Sequence, residues 1–194
     1  MKPLISFATS FYYQNYYPGT LYLGIINNTQ VGGPFKNYTV KYDNGEWSFL
    51  LYNMAIAGAT LGFNGLLTLA TNSPYSVVPL GVFNTITDIL GLSPSTFNIV
   101  GNLLISTFSC SLQNFPDGMP NVTYYVNGYD LPLILTPYQY VYQKGVDSCD
   151  LAIAGGLPGC PYTFTLSNMV LNNSYSFLDM SSKTFGIAPL ALAP

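Results

Sequence analysis

From Trp47 to Thr87 the chain runs 41 residues without one charged side chain. A stretch of that length is either a membrane span or the interior of a fold, and its punctuation decides between them. Its most apolar part, 49–70, is interrupted by Asn53, Gly58, Gly62, Asn64 and Gly65, whereas a spanning helix needs about 20 predominantly apolar residues in a row. No transmembrane segment is expected here. The run reads instead as short buried strands joined by turns.

The same grammar holds along the rest of the chain. Short runs rich in Val, Ile, Tyr, Phe and Thr are separated by turn marks at 18–19 (PG), 32–34 (GGP), 43–45 (DNG), 64–65 (NG), 116–118 (PDG) and 127–128 (NG). β-branched and aromatic side chains suit a pleated, half-buried surface, and Asn-Gly or Asp-Gly pairs tolerate left-handed turn geometry, so the pattern predicts an all-β fold with hairpins. Two segments read as helices. In 79–91 (PLGVFNTITDILG), Val82, Phe83, Ile86, Ile89 and Leu90 share one face between an initial Pro and a terminal Gly. The second, 136–143 (TPYQYVYQ), has Pro in its first turn. The opening MKPLISFATSFYY reads as a first strand, because no small-residue cleavage site follows its short apolar run. No repeat or linker stands out, and 194 residues that are 49% apolar suit a single domain over 1–194.

Only 7% of residues are charged, so the surface must be covered largely by Tyr, Asn, Ser and Thr. Five Lys, no Arg and a net charge of −3 supply neither a counterion-releasing stripe nor a bidentate phosphate clamp, which excludes nucleic-acid binding. The absence of His removes Ser-His-Asp and Cys-His nucleophile arrangements and the commonest metal ligand. Neither a metal nor a cofactor is expected, and any hydrolytic chemistry would rest on eight carboxylates. Of these, Asp43, Glu46, Asp117 and Asp130 lie in or beside turn marks, Asp147 and Asp150 flank Cys149, and Asp88 lies on the first helix. Solvated turn or cap roles are expected for them. Three cysteines, Cys110, Cys149 and Cys160, together with N-x-S/T sequons at Asn27, Asn37, Asn121 and Asn172, favour a secretory route and a glycoprotein.

Taken in order, several segments resemble the C-terminal lobe of a pepsin-like aspartic protease. GTLYLGIIN (19–27) resembles that family's GxLxLGGID strand and turn, and EWSFLLYNMAIAGATL (46–61) its Trp-led strand and hairpin. LLTLATNSPYSVVPLGVFNTITDILG (66–91) is similar to the segment in which two apolar residues lead into DTGTS, a strand, a Pro and a helix. FSCSLQNFPDGMPNVTYYVNGYDLPLILTPYQYVYQ (108–143) resembles the Cys-bearing strand, the following hairpin and a proline-led short helix, and FLDMSSKTFGIAPL (177–190) the final strand pair. The resemblance spans residues 3–190 or so. It implies a Cys110–Cys149 disulfide, worth ~4 kcal/mol in the chain-entropy model for a loop of about 40 residues. It leaves Cys160 either as a buried free thiol or as a bridge to another chain. For Asp179 it implies a local hydrogen-bonding role before the last turn.

The same resemblance places Thr68, Leu69, Ala70, Thr71, Asn72 and Ser73 on the catalytic hydrophobic-hydrophobic-DTG-S/T loop. Ala70 stands where the carboxylate is expected and Asn72 where the glycine is. The family's chemistry needs two carboxylates sharing a proton, one activating water and the other donating to the substrate carbonyl. A methyl group does neither. The glycine lets the backbone turn tightly, and Asn is among the residues that best replace it in left-handed geometry. A second departure falls in the segment that crosses beneath this loop, FTLSNMVLNNSY (164–175), where Ser167 takes the expected glycine position, followed by Asn168. The expected protein is therefore not an enzyme but a secreted, non-catalytic protease-like lobe used in protein assembly or an extracellular structural role. Its expected partners are other protein chains, copies of itself or a chain supplying a second lobe. The alternatives are one chain of a processed two-chain protease, and an inhibitor or glycan binder using the former cleft.

Overall fold

The computed structural model describes residues 3–9, 11–12, 15–16, 19–43, 46–70, 72–110, 118–128, 130–160 and 164–191. Strands are their main regular structure, with one ten-residue helix and one of four residues. The chain is all-β, as the strand and turn grammar predicts. It groups into two compact units, one from 1–49 with 171–194 and the other from 50–170.

The first unit is built on a five-stranded antiparallel sheet in the order Thr20–Leu23, Leu4–Thr9, Ser174–Asp179, Thr184–Pro189, Lys36–Thr39. Strands from opposite ends of the chain thus lie side by side, with Leu4 opposite Asp179 and Thr9 opposite Ser174. One aromatic cluster joins Tyr38, Phe49 and Phe185, with ring centroids 5.5–6.2 Å apart. Burial in this cluster pushes the Tyr38 phenol up to about 12. Another cluster joins Phe35, Tyr175 and Phe177. Gly186 is required there, because a Cβ at that position would lie 2.1 Å from the Phe177 ring. The buried Tyr175 hydroxyl accepts from Asn27 N at 2.7 Å and lies 2.8 Å from Ser6 Oγ, which donates to Ile25 O. The last hairpin turns at 180–183, where Asp179 Oδ1 accepts from Ser181 N, Ser181 Oγ and Ser182 N. This is the local role that its sequence context implies.

The second unit holds two sheets. In the first, Val122–Val126 lies between Leu133–Leu135 and the far part of the Glu46–Ile56 strand, and Gly65–Ala70 and Thr165–Ser167 complete the order. In the second, Ser76–Pro79 runs parallel to Ile153–Gly156, and Leu103–Ser109 pairs with Phe97–Val100, Ile153–Gly156 and Ser148–Leu151. The helix α1, Leu80–Ile89, follows Pro79 and buries Val82, Phe83, Ile86 and Thr87. The predicted stripe is buried at Val82, Phe83 and Ile86, while Ile89 and Leu90 at its end are half-buried; Thr87 joins it, since its hydroxyl donates to Phe83 O and Asn84 O and so can be buried. Gly155 lets α1 approach closely, since a Cβ there would lie 3.0 Å from Phe83.

The second helix, α2, is shorter than expected and spans only Pro137–Tyr140. Thr136 N donates to Gln139 Oε1 at 3.1 Å, and Gln139 Nε2 donates to Val170 O. From Val141 the chain is strand, because Val141 and Tyr142 pair with Leu151 and Asp150. Long-range pairing overrides the helical reading of 141–143. No helix among the described residues is long and apolar enough to cross a membrane.

Candidate functional site

The strand Gly65–Ala70 ends at the position of interest. It runs parallel to Thr165–Ser167, with Thr68, Leu69 and Ala70 opposite Thr165, Leu166 and Ser167. Two segments about a hundred residues apart in sequence are therefore brought together in one register. Ala70 faces the turn as a half-buried methyl, and Ser167 beside it is buried. Thr71 lies outside the described residues.

A set of short hydroxyl bonds closes the turn. Ser73 Oγ donates to Tyr75 O at 3.0 Å and accepts from Tyr75 N at 3.1 Å, while Ser73 O accepts from Asn168 N at 3.1 Å. Ser76 Oγ accepts from Ser167 N at 3.0 Å and donates to Ser167 Oγ at 3.3 Å, and Ser167 Oγ also accepts from Met169 N. Val77 N donates to Thr165 Oγ1 at 2.9 Å. Ala70, Ser73, Ser167 and Asn168 thus lie at one turn, with Asn72 exposed on it. The Ser167 hydroxyl fills what glycine would leave open and satisfies a backbone N–H in doing so. The hydroxyls of Ser73, Ser76 and Ser167 are committed to backbone groups or to one another, and a methyl group at position 70 holds no proton to move.

The carboxylate nearest to this turn in the hydrogen-bond network is Asp150, and its setting corrects the sequence reading. Asp150 is 1% exposed, not solvated. Its strand, Ser148–Leu151, is covered on both edges, with Thr107 and Tyr142 directly opposite Asp150. Oδ1 accepts from Thr107 Oγ1 at 2.7 Å and Oδ2 from Tyr75 OH at 2.9 Å, with Lys144 Nζ at 3.7 Å. Burial first, and then the Asp150 hydrogen bond and charge, push the Tyr75 phenol well above its ordinary range. Asp150 therefore fastens the turn that follows Ala70 to the second sheet. The one available signal was its place inside the apolar run CDLAIAGG, 149–156. Asp117 lies outside the described residues, and among the described residues no three His, Cys, Asp or Glu side chains cluster as metal ligands.

Cys110 and Cys149 form a disulfide with Cα atoms 5.8 Å apart. Cys160 is a half-buried free thiol. Of the sequon asparagines, Asn37 and Asn121 are exposed and Asn27 is half-buried with its Nδ2 donating to Tyr22 OH. Asn172 is 7% exposed, so it does not present its amide to solvent.

No curated protein matches the chain in sequence. The family model for eukaryotic aspartyl protease matches residues 3–190, which includes both segments that meet at Ala70 and Ser167. The chain belongs to the eukaryotic aspartyl protease family.

Proposed function

We propose that this chain is a C-terminal-type lobe of an aspartyl protease that no longer catalyses, and that it acts in protein–protein assembly after entering the secretory route. The observation that carries the reading is the pairing of Ala70 with Ser167. The two strands of the catalytic loop are in register, and the position that the chemistry needs as a carboxylate is a methyl. A dyad requires two carboxyl groups sharing one proton. A partner chain supplying one aspartate would still leave the pair incomplete, which disfavours the two-chain protease.

Entry into an oxidising compartment is supported by the Cys110–Cys149 disulfide. Asn37 and Asn121 are the sequons best placed to carry glycans, given their exposure. The test is incubation of the purified chain with an unfolded protein substrate at about pH 4, where one carboxyl of a dyad is protonated and the other ionised. No cleavage above the blank is expected. Turnover blocked by a peptide transition-state inhibitor would overturn the reading.

A further inference from the structure

The sequence carries three Asn-Gly pairs, at 44–45, 64–65 and 127–128. Such a pair marks a turn, and it is also a reactive unit. The backbone nitrogen that follows the asparagine can reach its Cγ within one chain, and glycine puts no side chain in the way. The first pair lies outside the described residues. In the other two the asparagine is exposed, and hydrogen bonding separates them. Asn127 N donates to Leu50 O at 2.8 Å and Asn127 Oδ1 accepts from Leu50 N at 3.3 Å, so backbone and side chain are both tied to the neighbouring strand. Asn64 has no hydrogen-bond partner for its carboxamide among the described residues. The chain is anchored just before it, where Gly62 N donates to Asn53 Oδ1 at 3.0 Å and the Phe63 ring lies 5.4 Å from that of Phe164. Gly65 begins the strand that ends at Ala70, whose pairing with Thr165–Ser167 starts only at Thr68. A Cβ at Gly65 would meet open space.

We propose that Asn64–Gly65 is a site of spontaneous covalent modification in the folded protein, deamidation through a cyclic imide. Gly65 N attacks Asn64 Cγ and loses its proton, the carboxamide C–N bond breaks, and ammonia leaves a closed succinimide ring. Water then opens the ring at either carbonyl. One opening gives aspartate, and the other gives isoaspartate, in which the main chain continues through the former side-chain carboxyl. One water is consumed and one ammonia released, with no change of oxidation state. Each event places a negative charge inside the run from Trp47 to Thr87, which has none. The isoaspartyl product also adds a backbone carbon between the Phe63–Phe164 contact and the strand that ends at Ala70. None of this chemistry depends on whether the chain catalyses or assembles.

Incubation of the purified full chain at about pH 8.5, where loss of the amide proton is favoured, tests this. Conversion is followed by peptide mapping in a mass spectrometer and by enzymatic methylation of isoaspartate. Neither Asn64 nor Asn127 begins an N-x-S/T sequon, so glycans do not confuse the assignment. Asn64 is expected to convert roughly tenfold or more faster than Asn127 in the folded protein. In denaturant, where the Leu50 bonds are gone, the two rates are expected to converge. Gly65→Ala, which the open space at that position admits, is expected to slow conversion at Asn64 by roughly tenfold while leaving the circular dichroism melt in place. No conversion at Asn64, conversion of Asn127 at the same rate in the folded chain, or a Gly65→Ala variant that converts as fast as the native chain overturns the proposal.

Discussion

Asp150 is the only charged side chain that the described residues bury, and its position is held by donors from three directions. Asp150→Ala would leave the Tyr75 and Thr107 hydroxyls without their acceptor and is expected to cost about 3 kcal/mol or more in a denaturant titration. Lys144→Ala, at the solvated end of the same pair, should cost under about 1 kcal/mol. The contrast is not legible from 147–151, because depth in a sheet is set by which strands later pair on either side. Tyr124 makes the opposite point. Its hydroxyl is the one buried side-chain N or O atom among the described residues found without a hydrogen-bond partner, and burial pushes its pKa well up. Tyr124→Phe removes that unsatisfied group and should be neutral or stabilising by about 1 kcal/mol. Asp179, whose role was legible, gives a pH signature. The Ser181 side-chain bond foremost, with backbone N–H donors, holds its carboxyl below the ordinary carboxylate value. Its contribution is thus fully present above the unfolded pKa of about 3.9 and is lost as pH falls through the folded value. The melting difference between the native chain and Asp179→Ala should hold steady from neutral pH to about pH 4 and shrink below it.

At the scale of elements, two of the glycines that close packing requires differ in severity. A methyl at Gly155 meets Phe83 of α1 at 3.0 Å, a contact that a small helix shift relieves, whereas one at Gly186 would lie 2.1 Å from the Phe177 ring. Gly155→Ala is expected to cost about 1–2 kcal/mol and Gly186→Ala about 3 kcal/mol or more, measured as shifts in denaturation midpoint at constant slope. Helix α1 was legible because its apolar spacing, leading Pro and trailing Gly agree with one another. Helix α2 was only half legible, since Val141 and Tyr142 carry strand preference that the pairing with Ser148–Leu151 makes decisive. The parallel pair at Ala70 and Ser167 has no local signature at all. It was found through family resemblance, because no periodicity in either segment points to the other.

For the molecule as a whole, the class of fold and the disulfide were readable in the sequence. The division into two units was not. Its boundaries fall at Phe49 and Leu50, inside the strand Glu46–Ile56, and at Val170 and Leu171, inside the short turn Asn168–Leu171, where no shift in composition marks them. The disulfide lies wholly within 50–170 and closes 39 positions. Replacing both Cys110 and Cys149 by Ser is expected to lower stability by about 4 kcal/mol, read as loss of denaturation midpoint without loss of the sheet signal in water.

The pairing of Leu4–Thr9 with Ser174–Asp179 also sets an order of events during synthesis. The first strand leaves the ribosome about 170 residues ahead of its neighbour, a wait on the order of ten seconds or more at roughly 5–20 residues per second. The intervening stretch, with its own cross-link, can mature in that interval. The charge-free segment 3–35 cannot, because until then its first strand has only Thr20–Leu23 to pair with. This sheet, whose paired strands are the most widely separated in sequence, is therefore expected to form last.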